Sequence, residues 1–347
     1  MNEMMKAARL HGLDDFRVET IPVPDIGEDE ILVRVKAVTV CGTDLRMIQN
    51  GIAAGLYPLT LGHEFSGLIE KVGGNVEGYV TGQRVCVAPN IGCGICDICI
   101  SGNSHHCKKL RSIGLDTDGA FAEFVKIPAD AIIRGNVTPL EDSVSYEAAA
   151  ANEAFACVMN SFERYGMFPG ETALIIGAGA IGMMHAALAF KSGAEKVILN
   201  DLSEGRLALC KKIEPRIITV AGDPTETVNA ETGGKGVDVV VTACSVAPVQ
   251  EAALSYAAIN GRVNYFGGLP KGRTINLDTN IIHYKQLSVT GTTRSSHEQY
   301  RKTLSFIAKK LVDVDSLVTH RFALDMVGKA IENAKNQEGL KQAVIFE

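Results

Sequence analysis

The chain has 347 residues, a formal net charge of −6 and no tryptophan. This length exceeds that of a typical single hydrophobic core, so we expect two domains, and the abundance of aliphatic residues and glycine is typical of an α/β protein. Lysine and arginine are scattered along the chain, which argues against nucleic acid or membrane partners and favours a small molecule. Residues 1–12 carry charges and lack a long apolar core, so we expect a cytoplasmic protein without a signal peptide.

The predicted elements change in kind along the chain. Residues 30–38 and 83–88 alternate apolar and polar side chains, which predicts a β-rich first unit. From residue 171 onward, aliphatic runs alternate with helical stretches, as a parallel sheet covered on both faces requires. The strands predicted there are residues 173–176, 196–200, 237–242, 262–266 and 287–290. Helices are predicted at residues 142–165, 297–310 and 325–336, and a last strand at 342–346.

Four cysteines follow the spacing C-x2-C-x2-C-x7-C, namely Cys93, Cys96, Cys99 and Cys107. A structural zinc ion needs a closed tetrahedron of ligands, and short loops keep the entropy cost of assembling it small. Two disulfides are the alternative, but two-residue loops bridge poorly and nothing in the sequence indicates an oxidising compartment. The spacing therefore predicts a structural zinc site.

A glycine motif, G-x-G-x-x-G, runs from Gly177 through Gly179 to Gly182, directly after a predicted strand and at the start of a helix. Gly177 would make the tight turn, Gly179 would let the backbone approach a pyrophosphate, and Gly182 would permit close packing of the helix on the strand. The alternative is a glycine-rich turn without a ligand. We predict a dinucleotide site.

The second predicted strand of this unit ends at Asp201, whose carboxylate can accept hydrogen bonds from ribose hydroxyls and would repel a 2′-phosphate. This favours NAD over NADP. Arg206 is close in sequence and could moderate that preference, or it could be a solvated helix residue. Ile181 and Gly267 complete the predicted cofactor-binding residues.

A second metal site is predicted from Cys41 and His63, since a catalytic zinc ion accepts thiolate, imidazole and carboxylate ligands and keeps one position open. Glu64 and Glu153 compete as the third ligand. Taken singly, these residues have simpler readings: a packed cysteine, a structural histidine–acid pair, and a helix cap for Glu153.

The chain resembles the zinc-containing medium-chain dehydrogenases, the alcohol and polyol dehydrogenase family, over essentially its whole length. The motifs are C-G-T-D at 41–44, G-H-E-F-S-G at 62–67, the four cysteines, D-G-A-F-A-E-F at 118–124, and G-A-G-A-I-G at 177–182 followed by Asp201. The resemblance implies a GroES-like β-rich catalytic domain at 1–152 and 292–347, with a structural zinc lobe at 90–110. It also implies a Rossmann NAD-binding domain, with a doubly wound parallel sheet, at 153–291.

The resemblance further implies an enzyme with one catalytic and one structural zinc ion that oxidises a secondary alcohol or polyol with NAD, as a homodimer or homotetramer. Glu153 looks like the carboxylate of the sorbitol and galactitol branches. Thr43 would take the substrate proton. Asp44 would hold His63 in the correct tautomer or stabilise the turn.

Several positions depart from the family pattern: Ala154 replaces a frequent proline, Arg46 replaces a proton-relaying histidine, and Met47 replaces a substrate-contacting tyrosine of sorbitol dehydrogenases. Arg294 resembles a substrate-binding arginine, or is a surface residue opening a helix. Two rival functions are a threonine-type 3-hydroxy amino acid dehydrogenase and a zinc-stabilised NAD-binding protein without catalysis. The set of Cys41, His63 and Glu153 argues against the second rival.

Overall fold

The computed structural model describes residues 3–347. It divides into two compact units: the described residues up to Ala156 together with Ser295–Glu347, and Cys157–Arg294. The predicted fold class, a β-rich GroES-like part and a Rossmann part with a parallel sheet, is confirmed. Within the described residues, no helix has the length and apolar character needed to cross a membrane.

The first unit is built mainly of antiparallel strands joined by short helices. Its strands are β1 (Met4–Gly12), β2 (Asp15–Pro22), β3 (Ile31–Thr39), β4 (Leu59–Thr60), β5 (Phe65–Val72), β6 (Arg84–Val87), β7 (Asn90–Ile91), β8 (Arg111–Ser112), β9 (Phe124–Ile127), β10 (Val137–Pro139), β17 (Val318–Ala323) and β18 (Lys341–Ile345). Its helices are α1 (Gly42–Asn50), α2 (Asp97–Ile100), α3 (Ala129–Ile133), α10 (His297–Ala308) and α11 (Val327–Lys335). Helix α4 (Tyr146–Tyr165) contains the point at which the chain passes to the second unit.

Strand β3 lies at the centre of the main sheet of this unit, whose order is β10-β6-β5-β3-β18-β17. It pairs antiparallel with β5 on one side and with β18 on the other. Most of its side chains are buried, and they pack with Phe65 and Phe121 in the hydrophobic core. The ends of β3, β5 and β18 therefore meet although β18 comes last in the chain.

The second unit contains a parallel sheet of order β13-β12-β11-β14-β15-β16 within its described residues. The strands are β11 (Thr172–Ile176), β12 (Lys196–Asp201), β13 (Ile218–Ala221), β14 (Val237–Thr242), β15 (Ala257–Tyr265) and β16 (Ser288–Gly291). The helices are α5 (Ala180–Lys191), α6 (Glu204–Ile213), α7 (Thr225–Thr232), α8 (Ala247–Tyr256) and α9 (Thr279–Tyr284). All side chains of β11 are buried, as a central strand covered on both faces requires.

The structure adds one strand to the predicted elements and shifts several predicted boundaries, among them the start of the long helix from residue 142 to Tyr146. Strand β13 was not predicted, because its four residues are only partly buried or exposed and give no continuous apolar signal. Strand β15 begins at Ala257 rather than at residue 262, since Asn260, with φ of 62°, and Gly261 interrupt the pattern. The helix predicted from residue 325 begins at Val327, after a 3₁₀ turn at Leu324–Met326.

Candidate functional site

Cys41 and His63 are positioned by a turn and a helix start that share Asp44. Cys41 is the N-cap residue of α1, and its backbone N–H donates to Asp44 Oδ2 at 2.8 Å. The other carboxylate oxygen, Oδ1, lies 3.5 Å from His63 Nδ1. Asp44 thus makes both contacts considered from the sequence, stabilising the turn and facing the ring of His63. The ring's Nε2 is left available for a metal ion.

His63 follows Gly62, a position that no other residue type can occupy without strain. Gly62 has φ of 94°, and a Cβ atom there would lie 2.8 Å from the backbone nitrogen of Phe121. Only glycine fits such a close approach in the left-handed region. The resulting turn buries His63, where burial lowers the pKa of the imidazole but the charges of Cys41 and Asp44 outweigh burial and raise it well above its ordinary value. This position attracts positive charge.

Glu64 uses one carboxylate oxygen for protein contacts. Its Oε2 accepts hydrogen bonds from Lys341 Nζ at 2.6 Å and from the hydroxyl of Thr39. Its Oε1 is buried and has no hydrogen-bond partner among the described residues. An unpaired buried carboxylate oxygen is costly, so Oε1 is the oxygen of Glu64 that is free to take a further ligand.

The ligand atoms of Cys41, His63 and Glu64 all lie within 4.8 Å of one another. We call this group the Cys41 centre. It combines a thiol, an imidazole and a carboxylate, which is a ligand set suited to a zinc ion with an open fourth position. The structure thus brings together the first two predicted ligands with Glu64.

Glu153 lies near the Cys41 centre, in the middle of α4. It is 7% exposed, and its charge helps to raise the pKa of Lys341, against the opposing effect of burial. Helix capping, the simpler reading from the sequence, is wrong because α4 begins at Tyr146 and Glu153 lies beyond its first turn. Its neighbour Asn152 donates from Nδ2 to the backbone oxygen of Tyr300 at 2.9 Å.

Buried charge is concentrated at this centre. Among residues 3–347, Asp44, Glu64 and Glu153 are the buried carboxylates, and Lys341 is the only lysine or arginine in the buried class. Cys41, as a metal-binding thiolate, would add another negative charge. Uncompensated buried carboxylates are expensive. Even with the Lys341 ammonium and a protonated His63, the three carboxylates and a Cys41 thiolate leave a negative excess, which a divalent cation would offset. The charge balance and the unpaired Oε1 both fit a zinc ion.

Thr43 and Arg46 lie one turn apart on α1. Arg46 is exposed, and its Nη2 donates to Thr43 Oγ1 at 2.9 Å. The hydroxyl predicted to take a substrate proton is therefore in contact with a fixed positive charge.

The four cysteines at residues 93, 96, 99 and 107 form a second group, the cysteine lobe, whose Sγ atoms lie within 4.8 Å of one another. Cys93 and Cys99 have Sγ atoms 4.0 Å apart, and Cys96 and Cys107 have theirs 3.9 Å apart. These distances exceed an S–S bond of about 2.05 Å. They match the roughly 3.8 Å between sulfurs around a tetrahedral zinc with Zn–S bonds of about 2.3 Å. The lobe geometry fits zinc rather than disulfides.

The backbone of the cysteine lobe favours thiolates at two positions. The N–H groups of Ile95 and Cys96 lower the pKa of Cys93 to about 6. The backbone N–H groups of Cys93 and Lys109 each donate to Cys107 Sγ at 3.3 Å. Cys99 differs, since burial and its hydrogen bonds to the other three cysteines raise its pKa to about 12.

In the second unit, the glycine motif forms the turn between β11 and α5. Gly177 has φ of 118°, and a Cβ atom on Gly182 would lie 1.9 Å from the backbone oxygen of Gly177. Gly179 is the N-cap of α5, so the N–H groups of the first turn are open to an anion. Ile181 lies in that first turn of α5. Gly267, just after strand β15, donates its backbone N–H to Thr242 O at 2.9 Å.

Asp201 stands at the end of β12, beside this turn. Its Oδ2 accepts the N–H of Ala178 at 2.7 Å, and its Oδ1 accepts the N–H of Ser203 at 2.9 Å. Each oxygen keeps a lone pair for a ribose hydroxyl. Arg206 Nη1 lies 3.9 Å from where a Cβ of Gly179 would be, and the guanidinium is partly buried. Arg206 is therefore not simply a solvated residue.

Arg294 belongs to the second unit and is exposed. Its backbone, with φ of 57°, is held by Asn160, which donates from Nδ2 to Arg294 O at 2.9 Å. It does not open a helix, because α10 begins at His297 with Ser296 as its N-cap. Its predicted contact with substrate stays a prediction.

Sequence reasoning missed Lys341 and Thr39. Neither belongs to a motif, and a lysine just before a predicted strand is usually solvated. Their contacts with Glu64 depend on β5 and β18 flanking β3, which no local pattern indicates.

Two family models match the chain. The alcohol dehydrogenase GroES-like domain matches residues 27–137, and the zinc-binding dehydrogenase model matches residues 180–309. A sorbitol dehydrogenase from Bacillus subtilis (strain 168) is 34% identical over 337 residues, which cover 95% of this chain and 93% of that protein. An L-threonine 3-dehydrogenase from the same organism is 34% identical over 318 residues, which cover 90% of each protein.

A solved structure shows that a relative has the same fold. A zinc-binding dehydrogenase from Sinorhizobium meliloti 1021 bound to NADP superposes with a TM-score of 0.90 at 30% sequence identity, covering 99% of this chain and 100% of that chain.

Proposed function

This chain belongs to the zinc-containing medium-chain dehydrogenase family, as its sequence predicted, and from that premise we propose that it transfers hydride between a secondary alcohol or polyol and NAD, giving a ketone or ketose. The observation that carries the proposal is the Cys41 centre: a thiol, an imidazole and a carboxylate with a buried, unpaired Oε1. A protein that only binds NAD has no need of such an open metal site.

Zinc bound at the Cys41 centre would lower the pKa of a substrate hydroxyl, and bound NAD would accept the hydride. Cys41, His63 and Glu64 would hold the metal ion, with Glu64 as the carboxylate ligand. Asp44 Oδ1, 3.5 Å from His63 Nδ1, would accept the Nδ1 proton when a metal ion binds and so favour the tautomer whose Nε2 can be a ligand. Glu153, held in a largely buried position, tunes the charge of the centre.

The substrate proton passes to Thr43 Oγ1. A hydroxyl can accept one proton while giving up its own, so Thr43 can pass a proton onward. Arg46 donates to one lone pair of Oγ1, which favours negative charge on that oxygen and directs the hydroxyl hydrogen elsewhere. Because a guanidinium stays protonated, Arg46 would not replace the relaying histidine of relatives. Thr43 would therefore release the proton by a route that does not include residue 46.

The preference for NAD is supported by Asp201, whose carboxylate stands at the end of β12 where a 2′-phosphate would meet like charge. Arg206 acts in the opposite direction, as a cation beside Gly179 that could pair with a 2′-phosphate. The preference is therefore a balance between two neighbouring charges.

A second candidate substrate is a 3-hydroxy amino acid, which the similarity to L-threonine 3-dehydrogenase favours as strongly as sorbitol dehydrogenase favours polyols. We infer a homodimer or homotetramer from the family resemblance, and light scattering would test the assembly.

A substrate panel tests the proposal. Purified protein with zinc would be assayed for reduced cofactor with polyols, 2,3-diols, simple secondary alcohols and L-threonine, each with NAD and with NADP. We expect turnover of at least one hydroxyl compound with NAD. Turnover of L-threonine alone would replace the polyol assignment.

A further inference from the structure

Lys341 is an unusual residue for a protein interior. It is 7% exposed, and its Nζ lies 2.6 Å from Glu64 Oε2. A buried ammonium is costly unless its partner geometry is good, and no other lysine or arginine among the described residues lies in the buried class. The ion pair with Glu64 is therefore needed to offset the cost of burying this ammonium.

The contact divides the two oxygens of Glu64. Lys341 and the hydroxyl of Thr39 both donate to Oε2, whereas Oε1 is buried and without a hydrogen-bond partner in the described part of the chain. With Oε2 held from two directions, the carboxylate cannot rotate freely about its last torsion. A carboxylate oxygen of Glu64 lies within 4.8 Å of the ligand atoms of Cys41 and His63. Oε1 is the oxygen that the protein leaves free to face a metal ion held by those two residues.

The sheet makes this arrangement rigid. Thr39 is the last residue of β3, Glu64 immediately precedes β5, and Lys341 is the first residue of β18. Backbone hydrogen bonds join these ends, from Thr39 N to Glu64 O at 2.9 Å and from Val40 N to Gln342 O at 2.9 Å. Three neighbouring strand ends therefore supply the carboxylate and both of its donors.

We propose that Lys341 is a positioning residue that holds Glu64 by Oε2, so that Oε1 faces the metal ion and sets the affinity of the Cys41 centre. This role rests on the proposed metal centre. Its sign distinguishes it from simple electrostatics: Lys341 is a cation beside a cation site, so charge repulsion alone predicts that its removal would tighten zinc binding. Positioning predicts that its removal weakens zinc binding.

The test uses the zinc-loaded full-length protein and variants Lys341→Met and Lys341→Arg, with Lys329→Met as the matched control. Lys329 is an exposed lysine whose Nζ pairs with Glu332 at 3.0 Å. Zinc release to a competing chelator gives the Kd of each site, and zinc in the cysteine lobe is the internal reference. Co²⁺ exchanged into the Cys41 centre reports the ligand geometry through its visible absorption.

We expect Lys341→Met to raise the zinc Kd of the Cys41 centre at least about tenfold, in the range of losses for residues that orient metal ligands. The cobalt spectrum should change as well. Lys341→Arg keeps a cation at this position and should have a zinc Kd and a cobalt spectrum close to those of the wild type. Lys329→Met should change neither the zinc Kd nor the cobalt spectrum. Unchanged or tighter zinc binding in a folded Lys341→Met protein would overturn the positioning role.

Should Lys341→Met not fold, Thr39→Val removes the other donor to Oε2 and leaves the ammonium in place. We expect it to raise the Kd of the Cys41 centre in the same direction, and an unchanged Kd would overturn the proposal. A wild-type protein that binds zinc in the cysteine lobe alone would overturn the proposed function itself. If instead the wild-type protein binds two zinc ions and the variants bind them with unchanged Kd, only the positioning role of Lys341 is overturned.

Discussion

Arg46 donates a hydrogen bond from Nη2 to Thr43 Oγ1 at 2.9 Å. Both residues belong to α1 and lie one turn apart, so the helix itself sets their contact. An arginine at this position cannot exchange a proton near neutral pH. It can stabilise negative charge on the threonine oxygen, which links a departure from the family pattern to the residue proposed to move the proton.

Thr43→Val should slow alcohol oxidation by about a hundredfold, the lower end of general acid–base effects, with little change in NAD affinity. Thr43→Ser keeps the hydroxyl and is the matched control. Arg46→Ala should reduce the rate less and should not make it depend on added buffer. Steady-state rates over a range of buffer concentrations measure both effects, and full activity in Thr43→Val would remove the relay.

Glu64 and Glu153 should separate in their effects on metal. Glu64→Gln should release zinc from the Cys41 centre, because it weakens the ligand that carries the unpaired Oε1. Glu153→Gln should keep that zinc and bound NAD yet lose about a hundredfold in hydride-transfer rate, by analogy with residues that contact metal ligands without binding the metal themselves. Metal analysis with single-turnover kinetics measures both, and zinc loss in Glu153→Gln alone would reverse the assignment.

Removing a ligand from the cysteine lobe and removing one from the Cys41 centre should have different effects on stability and activity. Cys99→Ala should release zinc from the cysteine lobe and lower the stability of the protein, since a closed structural site contributes to folding. Cys41→Ala should leave a folded protein without turnover. Zinc stoichiometry and thermal unfolding distinguish them, and the opposite pattern would contradict the assignment of the two groups.

Asp201→Ala should narrow the NAD preference by about tenfold in the ratio of kcat/KM values, since one carboxylate is removed near the proposed 2′-phosphate position. It also removes the acceptor of the Ala178 and Ser203 N–H groups, so KM for NAD should rise. Arg206→Ala should act in the opposite direction. A wild-type preference for NADP would show that the interpretation of Asp201 is wrong.

His185 should contribute to acid sensitivity. It is fully buried, accepts or donates one hydrogen bond at 3.0 Å with Tyr165, and has a pKa lowered by burial to about 3. The unfolded chain, with a histidine pKa of about 6.5, binds more protons below that pH. Its contribution to stability is complete above about pH 6.5 and is lost progressively as the pH falls toward 3, by up to about 1.4 kcal/mol per pH unit.

His185→Gln keeps a hydrogen-bonding group for Tyr165 without this titration. The two pKa values of His185, about 3 folded and about 6.5 unfolded, set the pH range in which its effect appears. Denaturant unfolding from about pH 4 to 7 should therefore show that the free energy of unfolding falls less steeply with decreasing pH in the variant than in the wild type. Equal slopes in both proteins would contradict the assignment.

Features that depend on a few neighbouring residues could be predicted from sequence. The cysteine spacing and the glycines at 177–182 each specify their own local geometry. The structure accordingly groups the four sulfurs in the first unit and, separately, forms a tight turn after β11 in the second unit. The family membership also followed from such local motifs. Strand β13 was missed because a short edge strand with partly exposed side chains carries little hydrophobic signal.

Contacts between distant parts of the chain could not be predicted in the same way. Lys341 meets Glu64 because β18 and β5 lie on either side of β3, and pairing of that kind depends on the whole fold. For the same reason, the sequence left Glu64 and Glu153 as equal candidates for the third ligand. The contact of Arg46 with Thr43 is local, but two neighbouring polar residues on a helix do not by themselves predict a hydrogen bond.

The most direct test of a catalytic zinc ion at the Cys41 centre is the rate of NADH formation, with the best alcohol of the panel, before zinc removal, after selective removal from that centre and after zinc is restored. We expect the rate to be lost on removal and recovered on restoration while the cysteine lobe keeps its zinc throughout. An undiminished rate without zinc at the Cys41 centre would contradict the account.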